Sequence, residues 1–143
     1  MMTESCIQLL EAKGVRPTAN RILLVKALSG IGKPASMGDL EIYIGTMDRS
    51  SIFRGLSVFL KHHVVHMIDD GSDSSKFELC PADGECQVAD MHAHFHCELC
   101  GATICLDNVG VSAVELPPGY SVSSVNYVVK GVCAACSSIA GSE

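Results

Sequence analysis

The first sixty residues repeat short apolar clusters at helical spacing, separated by polar residues, glycine or proline. This pattern predicts helices over 5–12, 19–30, 37–45 and 50–62. The period then changes, because 64–68 is β-branched and 76–80 reads as a returning strand after the turn-forming segment 69–75. Helices followed by a two-stranded hairpin are typical of a winged helix-turn-helix, which we assign to residues 1–82.

The second half of the chain predicts a small α/β domain over 91–143, joined through a polar hinge at 83–90. Strands are expected at 91–97, 103–106 and 122–129, with a short helix over 108–115 and a frayed tail after Cys136. The fold class is therefore α+β.

Composition narrows the classes of protein further. Hydrophobic residues make up 48% of the 143 positions, enough for a core, and no apolar run approaches the roughly 18 residues of a membrane span. The N-terminal segment lacks a secretion signal pattern, so we expect a cytoplasmic protein without membrane association. Residues 1–68 carry a net charge of +3 and residues 69–143 a net charge of −9, which favours a polyanion-facing first half.

Two C-x2-C pairs carry the strongest chemical signal. Eight cysteines are too few for a disulfide scaffold of this length, and paired cysteines in a reducing compartment favour metal. Cys97, Cys100, Cys133 and Cys136 suit a closed, tetrahedral, structural Zn²⁺ site, one per subunit. A redox role for the C-x2-C pairs is the competing interpretation.

A second metal-ligand set surrounds the hinge. The histidine-rich strand places His92 and His94 on one face, and His66 and Cys80 lie on the preceding hairpin. One thiolate with three imidazoles favours Zn²⁺, so these four residues are predicted to hold a second, regulatory metal. His96 is interpreted as a surface or neighbouring residue, Cys105 needs no function, and Glu78 and Cys86 could join the site.

Basic and polar residues cluster at the beginnings of two predicted helices. The start of the second helix of a helix-turn-helix meets base edges and phosphates in the major groove, and an earlier helix start suits phosphate or minor-groove contact. The predicted DNA-contacting residues are Arg16, Thr18, Arg21, Arg49, Ser50, Ser51, Phe53 and Arg54.

These motifs together resemble the ferric-uptake-regulator (Fur) family of bacterial metal-dependent repressors. The matching segments are 16–21 (RPTANR), 51–56 (SIFRGL), 77–80 (FELC), the histidine strand and both C-x2-C pairs, in the order found in the family. Phe53 replaces the usual tyrosine, so a hydroxyl contact to DNA is lost.

The resemblance implies a winged helix, a C-terminal dimerisation domain and a homodimer on palindromic double-stranded operators of metal-uptake genes. Cys80 is similar to the sensing cysteine of zinc-uptake regulators (Zur), whereas Pro34 stands where iron sensors often carry histidine. A further family metal site is expected to be absent, because Met91, Ala93 and Val125 occupy its positions. The hypothesis is a zinc-responsive repressor with two metals per subunit, and not an enzyme.

Three alternatives remain open on the sequence. An iron or manganese sensor could use the same scaffold, and a zinc-stapled nucleic-acid-binding module could lack sensing altogether. The third is an enzyme, a zinc hydrolase, deaminase or thiol oxidoreductase. A hydrolytic site wants an open zinc position and a nearby general acid or base. The H-x-E signature of nucleotide deaminases is missing, since His96 stands two residues after His94.

Overall fold

A computed structural model describes residues 1–71, 74–80, 92–110, 114–122 and 125–140. The chain divides into two units, Met1–Cys86 and Gln87–Glu143, each with its own internal contacts. The elements are α1 (Thr3–Ala12), α2 (Ala19–Ile31), α3 (Met37–Ile44), α4 (Arg49–Lys61), β1 (Val65–Ile68), β2 (Lys76–Leu79), β3 (His92–Cys97), β4 (Thr103–Gly110), β5 (Val128–Gly131) and α5 (Ala134–Ala140). No helix in these described ranges combines the length and apolar character needed to cross a bilayer.

Side-chain caps fix where the helices of the first unit begin. Thr18, Ser36 and Asp48 each accept a hydrogen bond from the backbone N–H three residues later, which satisfies a donor left unpaired at a helix start. Helix α3 begins with a full capping box, because Asp39 also accepts from the backbone N–H of Ser36. The helix boundaries predicted from sequence are therefore confirmed to within about two residues.

The core of the first unit forms where the apolar faces of its helices meet the hairpin. Its largest fully buried side chains include Leu10, Leu24, Leu40, Ile52, Leu56 and Phe59. The hairpin is tied to the helices by Ala35, whose backbone exchanges two hydrogen bonds with Phe77 at 2.8 and 2.9 Å. This packing holds α4 with its polar face outward.

Strands β1 and β2 form an antiparallel hairpin with His66 opposite Glu78. At its turn end, Lys76 Nζ lies 3.2 Å from Asp70 Oδ2, and the Asp70 carboxylate is fully buried. A buried carboxylate requires such a partner, since an unpaired buried charge is costly. The ion pair therefore links the segment that follows β1 to the first residue of β2.

The second unit contains a three-stranded sheet in the order β4-β3-β5. Strand β3 is central, antiparallel to β4 and parallel to β5. Because β3 and β5 are parallel, their C-terminal ends, at Cys97 and Gly131, lie at the same edge of the sheet. The histidine strand is therefore the scaffold of this unit.

Three predictions for this unit are wrong in their described parts. Residues 108–110 belong to β4 and do not begin a helix; Gly110 pairs with His92 of β3, across a bulge in the β3–β4 register. The last strand begins at Val128 and not at 122, since it pairs only with the four residues His94–Cys97. The expected frayed tail is helix α5 up to Ala140, whose first turn is closed by the Ser137 N–H donating to the Cys133 carbonyl at 2.8 Å. The hinge predicted at 83–90 lies outside the described residues.

Candidate metal centre and nucleic-acid interface

The four cysteines of the two C-x2-C pairs converge at one edge of the sheet. Their sulfur atoms all lie within 4.8 Å of one another, and Cys100 Sγ is 3.8 Å from Cys133 Sγ. Cys97 is fully buried, while Cys100 is exposed. The sequence prediction that these four residues belong together agrees with the geometry.

Local structure explains how the two pairs meet. Cys97 ends β3, and the turn after it closes through the Cys97 N–H donating to the Ala102 carbonyl at 2.9 Å, with Gly101 at a φ of 77°. Cys133 follows β5, and Cys136 lies in the first turn of α5. The parallel pairing of β3 with β5 thus brings together two motifs more than thirty residues apart in the sequence.

Backbone amides prepare Cys97 for metal binding. The N–H groups of Cys100 and Cys133 point at its sulfur at 3.5 and 3.4 Å, and they lower the pKa of the Cys97 thiol to about 6. Hydrogen bonding with Cys133, followed by burial, raises the pKa of Cys136 to about 12. One thiolate is therefore already formed near neutral pH, whereas the Cys136 thiol keeps its proton unless a bound cation displaces it.

The donor set fits zinc. Four thiolates with mutual sulfur distances compatible with a tetrahedron are a closed structural site, without an open position for substrate. Soft sulfur ligands also disfavour magnesium and calcium. The arrangement can tie β3, β5 and α5 together.

Two further side chains of types that bind metals face each other across β3 and β4. His94 stands directly opposite Cys105 in the antiparallel register, and their ligand atoms lie within 4.8 Å. His94 is 5% exposed and Cys105 is partly exposed. Cys105 was not recognised from the sequence, although the tight turn between β3 and β4 fixes this register.

The hairpin of the first unit groups the other predicted regulatory ligands. His66 faces Glu78 across the strands, and Cys80 follows two residues after Glu78, so all three share one face. Cys80 is 7% exposed, and its sulfur takes part in a disulfide bond. Because a disulfide sulfur is not a thiolate, Cys80 can serve as a ligand only in the reduced protein. The side chain of His92, and all of Cys86, lie outside the described part of the chain.

His96 is a buried residue, not a surface one. It is 8% exposed, and its Nδ1 lies 2.9 Å from the Oγ1 atom of Thr103, which stands opposite it on β4. A buried imidazole needs such a polar partner. This contact supports a structural interpretation of His96.

The predicted DNA-contacting residues form a surface on the first unit. Arg49, Ser50, Phe53 and Arg54 are exposed on α4, opposite its buried face. Phe53 is 60% exposed, so its ring is accessible to a partner on this face. Arg54 donates to the Ser51 hydroxyl at 3.2 Å, and Arg49 lies 3.5 Å from Glu41.

The start of α2 belongs to the same surface. A cleft of about 460 Å³ lies between α2 and α4, and its lining includes Thr18, Arg21, Ser51 and Arg54. Hydrogen bonds from Ser51 lower the pKa of Asp48, the residue that caps α4, with a further contribution from Arg54. Two sets of residues that are separate in the sequence thus line one basic cleft.

This architecture is similar to that of several solved structures. No protein-family model matches the chain, and no curated protein matches it in sequence. Among solved structures, a zinc uptake regulator complexed with zinc and DNA is 19% identical, with a TM-score of 0.67 over 97% of this chain and 95% of that one. The Helicobacter pylori ferric uptake regulator Fur, described with three functional metal-binding sites, is 17% identical, with a TM-score of 0.62 over 95% and 94%.

A third similar structure is the ferric uptake regulator of Pseudomonas aeruginosa with manganese. It is 16% identical, with a TM-score of 0.62 over 94% of this chain and 99% of that one. Regulators of this architecture have thus been solved with different metals. The chain has the fold of the ferric and zinc uptake regulators.

Proposed function

We propose that this protein is a Fur-family, metal-responsive DNA-binding repressor, most similar to the zinc-uptake branch. The observation that carries the proposal is the four-cysteine cluster built at one edge of the β3–β5 sheet, within a fold shared with a zinc- and DNA-bound regulator. The exposed basic surface on α4 supplies the second requirement, a face for a polyanion.

The structural metal is one Zn²⁺ per subunit, held by the four cysteines. When bound, the ion supplies a cross-link between β3 and α5, so its binding energy becomes folding energy for this unit. It is not the sensor, because a closed thiolate site exchanges its metal slowly and changes little in shape.

The regulatory metal is assigned to His66, Cys80, His92 and His94. Glu78 is a further candidate from the sequence, and we add Cys105 because it stands opposite His94. His94 and Cys105 are one pair of donors in the second unit, and His66, Glu78 and Cys80 are neighbours on the hairpin. A metal held by donors from both units would restrict the first unit relative to the second. Thiol donors favour Zn²⁺ over Mn²⁺ and make Fe²⁺ borderline.

Metal would thereby control DNA binding in a homodimer. When the first units of the two subunits are held at a fixed spacing, both can dock on one palindromic operator. Unrestrained first units lose more conformational entropy on binding. Residues 1–68 carry a net charge of +3 whereas residues 69–143 carry −9, so the helical part of the first unit is the segment suited to contact DNA. Excess zinc would therefore repress metal-uptake genes.

The test is metal-dependent selection of duplex DNA by the reduced, full-length protein. A random duplex library is exposed to protein with the four-cysteine site filled, in the presence of Zn²⁺, Fe²⁺ or Mn²⁺ or of no second metal. We expect a palindromic sequence to be enriched when Zn²⁺ is the second metal and in none of the other conditions. Enrichment with Fe²⁺ or Mn²⁺ instead would favour the alternative sensor, and equal enrichment without a second metal would favour a zinc-stapled module without sensing.

A further inference from the structure

We propose that Arg21 is a positioning residue for Arg16, and that Arg16 is the member of the pair that contacts DNA. The inference rests on the proposed DNA-binding function, and it assigns different roles to two arginines that the sequence places in one DNA-contacting set. Arg16 lies in the loop between α1 and α2, and Arg21 lies in the first turn of α2.

The loop is anchored before Arg16. Val15 is 3% exposed, and its N–H donates to the Leu10 carbonyl at 2.8 Å, so the chain is fixed to the end of α1. Pro17 follows Arg16, fixes its own φ, and restricts Arg16 to extended conformations. The backbone of Arg16 is thus limited from both directions.

Arg21 completes the anchoring from the other side. Its Nη1 donates to the Arg16 carbonyl at 2.9 Å, and its backbone N–H donates to the Thr18 hydroxyl at 3.3 Å. One residue therefore holds the loop at two points. Arg21 itself is only partly exposed, because its side chain turns back toward the loop.

The Arg16 side chain differs from that of Arg21 in its exposure and in its contacts. It is exposed, and its guanidinium forms no hydrogen bond or ion pair within the described ranges of the chain. A cation presented on a pre-ordered loop loses less conformational entropy when it meets a phosphate or a groove. The loop geometry therefore favours Arg16 as the contacting group and Arg21 as its support.

A double-mutant cycle tests this division. The zinc-loaded full-length protein and its Arg16→Ala, Arg21→Ala and double variants are titrated with the selected duplex by fluorescence anisotropy at several salt concentrations. We expect each single change to weaken binding, with Arg16→Ala costing about tenfold, and the double variant to bind no more weakly than Arg16→Ala.

The salt dependence separates positioning from a direct contact. Arg16→Ala should reduce the slope of log affinity against log salt by about 0.9, the value for one lost phosphate contact, and adding Arg21→Ala should leave that slope unchanged. Lys26→Ala is the matched control, because it removes a positive charge from α2 at a side chain that contacts Thr3 and not the loop. It should change neither affinity nor slope.

Two outcomes overturn the inference separately from the proposed function. If the losses multiply and the slope falls again in the double variant, Arg21 contacts DNA itself. If Arg21→Ala binds like wild type, the loop does not need it. Failure of the wild-type protein to bind any duplex overturns the proposed function and this inference together.

Discussion

His94 and Cys105 face each other across β3 and β4, with their ligand atoms within 4.8 Å. This relationship places a thiol beside a histidine of the predicted regulatory set, at a residue whose sequence context suggests only a small buried side chain. A thiol at this place would make the proposed second metal site more sulfur-rich than the sequence implies. Under that proposal, selectivity for zinc depends on Cys105 as well as on Cys80.

Replacing Cys105 tests its place in the regulatory site. Cys105→Ser should weaken binding of the second zinc by at least about tenfold, because a thiolate is lost, while the four-cysteine zinc remains bound. Competition with a zinc-binding dye measures both sites. Cys6→Ala is the control, since Cys6 is a fully buried thiol of α1 in the first unit. An unchanged second affinity in Cys105→Ser would remove Cys105 from the site.

Loss of the structural zinc should loosen the second unit selectively. Cys133→Ser removes one sulfur from the cluster, so zinc content should fall by one per subunit, and amide exchange should accelerate at Cys97 and along α5. Amides in the core of α4 should keep their protection, because that helix packs within the first unit. Retention of both zinc ions by the variant would contradict a four-cysteine site.

The lowered pKa of Cys97 predicts a titration in the reduced, zinc-free protein. Its folded pKa of about 6 lies below the ordinary 9.0, so the thiolate stabilises the fold fully above pH 9. That contribution declines as the pH falls and is lost below about pH 6. Ultraviolet thiolate absorbance should show a step near pH 6 that Cys97→Ser abolishes. Persistence of the step in the variant would assign it to another thiol.

An exposed and a buried ion pair in the described part of the first unit should differ sharply in their effect on stability. Asp70→Ala leaves Lys76 without its buried partner and should lower the free energy of unfolding by about 3–5 kcal/mol. Glu41→Ala, which breaks the exposed pair with Arg49, should cost less than about 1 kcal/mol. Urea denaturation measures both. Equal effects would show that the Asp70 pair is not the stabilising contact proposed.

The features predictable from sequence are those set by local chemistry. Caps at Thr18, Ser36 and Asp48 mark where helices begin, and the spacing of two C-x2-C pairs indicates one cluster. Each depends on residues close together in the chain or on a residue type with few roles. This is why the helical half and the four-cysteine site agree with expectation.

The features that could not be predicted from the sequence depend on strand pairing. Gly110 pairs with His92 of β3 across a bulge, and β5 begins at Val128, where its pairing with β3 begins. The position of Cys105 also follows from pairing, since only the β3–β4 register shows that it stands opposite His94. Propensity along the chain does not contain this information.

We propose that a second metal, distinct from the four-cysteine zinc, controls DNA binding. The affinity of the reduced protein for the selected duplex can be measured with one zinc per subunit already bound, before and after a second equivalent of Zn²⁺. We expect at least about a tenfold gain in affinity, or roughly 1.4 kcal/mol, that His94→Ala abolishes. Equal affinity at one and at two zinc ions per subunit would contradict it.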